Sequence, residues 1–179
     1  MTFNGSWGYF PTAPDSDWHS SRHVLGMVQS VTAGGGNLLL NIGPAPDGSV
    51  PATAYERLLP VGKWLARYGE AVYGTVDRAG ERLVPWMTHG TWTLKGHDAY
   101  YWTGRWVGSE IVIGGLRTKV KRVSVLATGA EVSFEQSANR LVMRGLPAAC
   151  PDDILGYAVL KLEFDQRPRQ VLGSGCVVL

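Results

Sequence analysis

The sequence predicts two kinds of structure in one chain, an α/β unit followed by an all-β domain, and three observations carry that reading. Residues 35–48 read GGNLLLNIGPAPDG, a short apolar run of Leu38, Leu39, Leu40 and Ile42 between glycine- and proline-rich stops. Apolar residues at helical spacing flank that run on both sides. Beyond about residue 80 the pattern changes to short segments rich in β-branched and aromatic residues, with turn signals between them.

The first helix is expected over residues 18–33, where Val24, Leu25, Val28 and Val31 share one face. Asp15, Ser16 and Asp17 are the N-cap candidates and Gly34 the stop. The apolar run follows. Side chains of both parities are apolar, which predicts a strand covered on both faces, as in a parallel sheet. Asn41 is its one polar residue and sits at the C-terminal end, where α/β folds build their sites. After the Asp47-Gly48 turn, Pro51 stands where a first helical turn tolerates proline. Ala54, Leu58, Val61, Leu65 and Tyr68 then mark a second helix that Gly69 closes. Pro60 lies inside it and predicts a kink or break near residues 58–61. Helix, buried strand and helix make one and a half α/β units. A lone parallel strand would leave its backbone groups unpaired, so this unit cannot be a complete domain.

Strands are expected at 83–88, 91–94, 99–106, 110–116, 120–127, 132–135, 140–144 and 157–164. Regular short strands of this kind predict an antiparallel sandwich. In the last of them Ala158, Leu160, Leu162 and Phe164 alternate with Tyr157, Val159, Lys161 and Glu163, which predicts one packed face and one largely wet face. Residues 177–179 are either a last edge strand or a frayed end. The chain thus divides into residues 1–74, part of an α/β layer, and residues 80–179, a small β-sandwich.

Composition excludes several functions. The chain has 179 residues, 45% of them hydrophobic, and a formal charge of +2. That charge does not call for nucleic acid, and Arg117, Lys119, Lys121 and Arg122 read as a solvated strand edge. Cys150 and Cys176 make no disulfide framework. No apolar stretch reaches the roughly 18 residues of a membrane span, and the first residues lack a signal-peptide pattern, so compartment is left open. His19 and His23 have a metal-compatible spacing but lack a third ligand. Gly34-Gly35-Gly36 lacks the Gly-Lys-Ser/Thr of a phosphate loop. Asn4-Gly5-Ser6 is a formal glycosylation sequon with nothing to show secretion. No metal or cofactor is implied. Trp86, Trp92, Trp102 and Trp106 could form a carbohydrate platform, although Trp92 and Trp102, on neighbouring strands, read as core.

Taken together, Ser6-Trp7-Gly8-Tyr9, the 35–44 run GGNLLLNIGP, Asp47-Gly48, Glu56-Arg57-Leu58-Leu59, Val61-Gly62-Lys63-Trp64-Leu65 and Gly69-Glu70-Ala71 closely resemble the family 29 α-L-fucosidases. The resemblance is specific over residues 1–74 and architectural beyond. It implies a terminal helix–strand–helix fragment of a (β/α)8-type barrel followed by a small antiparallel β-sandwich. It also implies hydrolysis of terminal α-L-fucose from glycoconjugates or oligosaccharides with retention. In that chemistry one carboxylate attacks and a second protonates the leaving oxygen. The resemblance places both on barrel segments upstream of Ser6, so the chain is expected to hold no catalytic carboxylate and to be inactive alone. Its partners would be a fucosylated glycan or glycoside and the remainder of the barrel, on the same or a separate polypeptide. Trp7 and Tyr9 are the candidate substrate-binding residues, because a sugar C–H face and the fucose methyl group both suit aromatic neighbours. Asn41 is the third, either bonding substrate or tying down a neighbouring loop. Two other functions fit the same sequence: a non-catalytic sandwich that binds carbohydrate or a protein, and one chain of a split enzyme.

Overall fold

A computed structural model describes residues 1–74, 83 and 90–171. The chain is an α/β layer joined to a β-sandwich. A 3-10 turn at Asp15–Asp17 leads into helix α1, Ser21–Ala33. The cap is none of the three residues expected. Ser20 is extended, and its hydroxyl accepts the His23 N–H at 3.1 Å, satisfying a first-turn donor. Asp15 is engaged elsewhere, in an ion pair with Arg57. The helix stops at Gly34, and Gly35 takes a φ of 70°, the left-handed conformation that suits glycine.

Helix α2, Ala52–Tyr68, runs through Pro60 without a break. Pro60 removes one donor, whose acceptor would have been the carbonyl of exposed Glu56, where water can take over. Val61, Trp64 and Tyr68 are buried on the other side. Their burial, worth about 1.5–3 kcal/mol each, outweighs a proline penalty of about 3 kcal/mol.

The 38–42 segment departs most from expectation. It is extended, and among the described residues it forms no strand of a sheet and has one bridge, a parallel one between Thr2 and Asn41. Asn41 N–H donates to Met1 O at 2.9 Å and Phe3 N–H to Asn41 O at 2.8 Å. Leu40 and Ile42 pack in a small core with Phe3, Trp18, Val24, Ala54 and Val61. Leu39, on the opposite face, is 78% exposed. One face is therefore covered, not two.

Seven antiparallel strands follow among the described residues. They are β1 Thr91–Lys95, β2 Asp98–Thr103, β3 Glu110–Gly114, β4 Val120–Val125, β5 Ser133–Gln136, β6 Arg140–Arg144 and β7 Ala158–Phe164. One sheet has the order β1-β2-β7-β4 and the other β3-β6-β5. The expected strand at 83–88 and the 177–179 tail lie outside the described residues, apart from buried Leu83. Between the sheets, Trp92, Leu94, Tyr101, Leu160 and Leu162 meet Ile111, Ile113, Leu141 and Met143.

The larger sheet is buried on both faces. Tyr100, Trp102 and Val159 point away from the sandwich core and pack on Leu25, Trp64, Tyr68 and Ala71. The second face of β7 is therefore not wet as alternation suggested: Val159 is fully buried beneath the helices. Only Lys161 and Glu163 reach water, and Lys161 pairs there with Glu70 and Asp98. Trp64 Nε1 donates to Tyr157 O at 2.9 Å, and Arg22 on α1 donates to the carbonyls of Leu155, Gly156 and Gly104. Helices and sandwich share a core and a set of polar ties. Among the described residues no helix is long and apolar enough to cross a membrane.

Candidate functional site

Residues 1–3 and the 38–42 segment run parallel, so their C-terminal ends lie side by side. Ligands of open α/β folds bind at such ends. From the first, the chain turns at Asn4, whose Oδ1 accepts the Ser6 N–H at 3.1 Å. Asn4 is only 5% exposed, which removes it as a glycosylation acceptor. The turn delivers Trp7, Tyr9 and Phe10 to the surface, 64%, 44% and 45% exposed. Three exposed aromatics within four residues cost hydration free energy that a ligand or packing partner would recover.

From the second end, Asn41 holds this loop. Its Nδ2 donates to Trp7 O at 2.6 Å, while its own backbone pairs with residues 1 and 3. Gly43 completes the clamp. It has a φ of 56°, and a Cβ there would meet Gly8 O at 2.6 Å. No L side chain fits between those two backbones. Structure thus brings together all three residues expected from sequence, with Trp7 and Tyr9 on the loop and Asn41 as its anchor. Phe10 and Gly43 were not singled out. The signal for Gly43 was its place after the apolar run, which also reads as an ordinary turn.

Several acidic groups are occupied elsewhere. Asp152, 3% exposed, accepts the N–H groups of Ile154, Leu155 and Tyr157 at 3.3, 3.0 and 2.9 Å. Asp153 pairs with Arg67, and Asp47 accepts from Ser49, both of which hold the carboxyl below its usual range. Lys161, then Tyr100, does the same for Glu70 against opposing burial. The described residues offer no group of three or more His, Cys, Asp or Glu side chains that could hold a metal ion. His19 precedes α1 and stacks on His23 with ring centroids 4.4 Å apart. Burial, then the neighbouring His23, lowers the pKa of His19.

A separate cavity of about 440 Å³ lies between the helices and the Gly35–Leu38 stretch, lined by Val28, Thr32, Leu65 and Val72 among others. Its described lining carries no carboxylate, histidine, lysine or arginine, and Tyr73 is its one ionisable side chain. In the sandwich Trp92 and Trp102 are both fully buried, one in each core, and Trp106 is half-buried with Nε1 bonded to Pro147 O. Those three form no exposed platform, and Trp86 lies outside the described residues.

Residues 1–70 match the family described as alpha-L-fucosidase. Tissue alpha-L-fucosidase of Mus musculus is 30% identical over 165 residues, covering 89% of this chain and 34% of the relative. The Homo sapiens tissue enzyme is 28% identical, covering 83% and 32%. This chain spans about a third of the length of these relatives. Among solved structures, an alpha-L-fucosidase isoenzyme from Paenibacillus thiaminolyticus matches with a TM-score of 0.79 at 29% identity, over 93% of this chain and 39% of that one. Thermotoga maritima alpha-fucosidase in complex with fucose matches with a TM-score of 0.74 at 28% identity, over 90% and 38%.

Proposed function

We propose, for a chain that belongs to the α-L-fucosidase family through residues 1–70, that it forms the end of a catalytic β/α barrel together with the sandwich that follows it. In this reading residues 1–3 and the 38–42 segment are two adjacent staves. The observation that carries it is the half-made pairing at Asn41. One edge of the segment is bonded to residues 1–3. Leu38, Leu40 and Ile42 direct their backbone groups to the other edge, where no described residue meets them. Leu39 faces open space beside Asn41. A further parallel strand would satisfy both.

The substrate is a terminal α-L-fucose on a glycan or glycoside. Trp7 and Tyr9 stack on its apolar face, and Asn41 holds their loop in position. The paired carboxylates of the retaining reaction are assigned to no residue of this chain. By itself the chain does not hydrolyse fucosides.

The test is hydrolysis of an aryl α-L-fucoside by the 179-residue chain, alone and with the barrel segment of a relative supplied as a second polypeptide. No turnover alone and measurable turnover together is the expected result. Turnover by the isolated chain defeats the proposal. In the active combination, Trp7→Ala should raise KM about tenfold, the scale of one lost stacking contact of about 1–1.5 kcal/mol.

A further inference from the structure

The sandwich gathers its cations at one end. The loop 115–119, between β3 and β4, is laced on one side to the β5–β6 turn. Gly115 N–H donates to Asn139 O at 2.8 Å, and the Arg117 guanidinium donates to Ala138 O at 2.7 Å and Asn139 Oδ1 at 3.3 Å. On the other side the loop is laced to residues 169–171. Arg117 N–H donates to Arg169 O at 2.8 Å, Arg169 N–H to Thr118 Oγ1 at 2.9 Å and Val171 N–H to Gly115 O at 3.0 Å. Thr118 and Pro168 are buried beneath these bonds.

Three segments distant in sequence thus bring Arg117, Lys119, Lys121, Arg140 and Arg169 to one end, all exposed. Asp165 is the one acidic residue in residues 114–121, 137–140 and 164–171, whereas the whole chain carries only +2. Arg57, Arg67, Arg122, Arg144 and Lys161 each hold a carboxylate. None of these five does so among the described residues. Protection of the sheet edge accounts for part of the cluster: β4 is an edge strand, and Lys121 sits at its bulge. It does not account for Arg140, which begins the central strand of the other sheet, or for Arg117 and Arg169 in loops. Gathering like charges without counter-charges costs free energy, and an anion across them would recover it.

We propose that this end of the sandwich is a docking surface for an anionic polysaccharide, one whose sulfate esters or carboxylates lie across Arg117, Lys119, Arg140 and Arg169. The choice of a polysaccharide rests on the fucosidase reading of residues 1–70. The surface itself speaks against single-stranded nucleic acid, because these three segments present no exposed aromatic ring on which a base could stack. Guanidinium groups match the paired oxygens of sulfate and carboxylate alike. Such a surface would hold a charged, fucose-bearing chain near the enzyme without taking part in the reaction.

The experiment measures binding of the 179-residue chain to dextran sulfate and to polygalacturonate, with neutral dextran as reference, at low salt and at about 0.15 M. Binding to either polyanion, weakened by salt, with none to neutral dextran, is expected; which polyanion binds tells sulfate from carboxylate. The triple variant Lys119→Glu, Lys121→Glu, Arg140→Glu should lose at least about tenfold in affinity. None of those three side chains is in a described hydrogen bond, so circular dichroism should report an unchanged fold. Lys63→Glu, on the exposed face of α2, should bind as the parent does. Silence with both polyanions, equal binding by the triple variant, or tighter binding to duplex DNA of matched charge overturns the proposal. No fucose and no hydrolysis enter the assay, so its failure leaves the reading of residues 1–70 standing.

Discussion

Residues 1–74 and 90–171 solve the same problem to different degrees. In the sandwich every described strand finds a partner within the chain, and the large side chains between the sheets are almost entirely out of water. In the first region two helices bury one face each, but the extended segment between them is bonded along one edge and leaves Leu39 in solvent. The difference separates two kinds of apolar surface. One kind is consumed by the fold that carries it. The other is left over, and a further strand of the proposed barrel would cover it.

The comparison is sharpened most by testing the sandwich core against the core that helices and sandwich share. Trp92→Ala hollows the space between the sheets and should cost about 3–5 kcal/mol, read as a lowered urea midpoint. Trp64→Ala should cost a similar amount, because Trp64 is wedged between Tyr68 and Trp102 and also loses its bond to Tyr157 O. A Trp64→Ala variant whose strands unfold at the parental midpoint would show that the helices merely rest on the sheet.

Asp152 offers a smaller, sharper probe. Replacing it with Ala orphans three backbone donors in the loop that carries Leu155 and Gly156 to Arg22, and should cost about 2–3 kcal/mol. Hydrogen exchange then compares the regions directly. Amides of Val123, Leu160 and Leu162 should exchange only through global opening, while those of Leu38, Leu40 and Ile42 exchange through local opening, orders of magnitude faster. Equal protection of both sets would mean that the segment is already enclosed.

The least effect is expected from acid. Lys161, and Tyr100 beside it, favour the charged form of Glu70, so its folded-state pKa lies below the ordinary 4.5. Its contribution is fully present above that value and is lost as pH falls through the lower folded value. Glu70→Gln should flatten that acid limb of the stability profile slightly, since the pair is partly exposed. A profile as steep as the parent's would show that Glu70 carries none of the acid dependence.

Much of this arrangement could be read from the residues. Strand β6 falls on the expected 140–144, and the other described strands lie within one to three residues of expectation, because alternation and turn residues act over a few positions. The misses share a different cause. Ser20 takes the cap from Asp15 because Arg57, 42 residues away, claims the aspartate. Pro60 stays helical because Val61 and Trp64 have a core to fill. Asp152 organises a turn whose purpose is visible only with Arg22 in place. At the site, the aromatics of the Trp7–Phe10 loop and the polar Asn41 were conspicuous, but the bond between Asn41 and Trp7 O spans 34 residues and no local pattern announces it.

The sequence alone determined which stretches are helical, which are extended and which faces are apolar, since those follow from short-range sterics and side-chain period. It could not determine how many faces of an apolar segment are covered. Leu39 and Val159 are equally apolar and equally extended, yet one stands in water and the other lies under two helices. That outcome depends on what the rest of the chain brings within a few ångströms, and only the tertiary structure decides it.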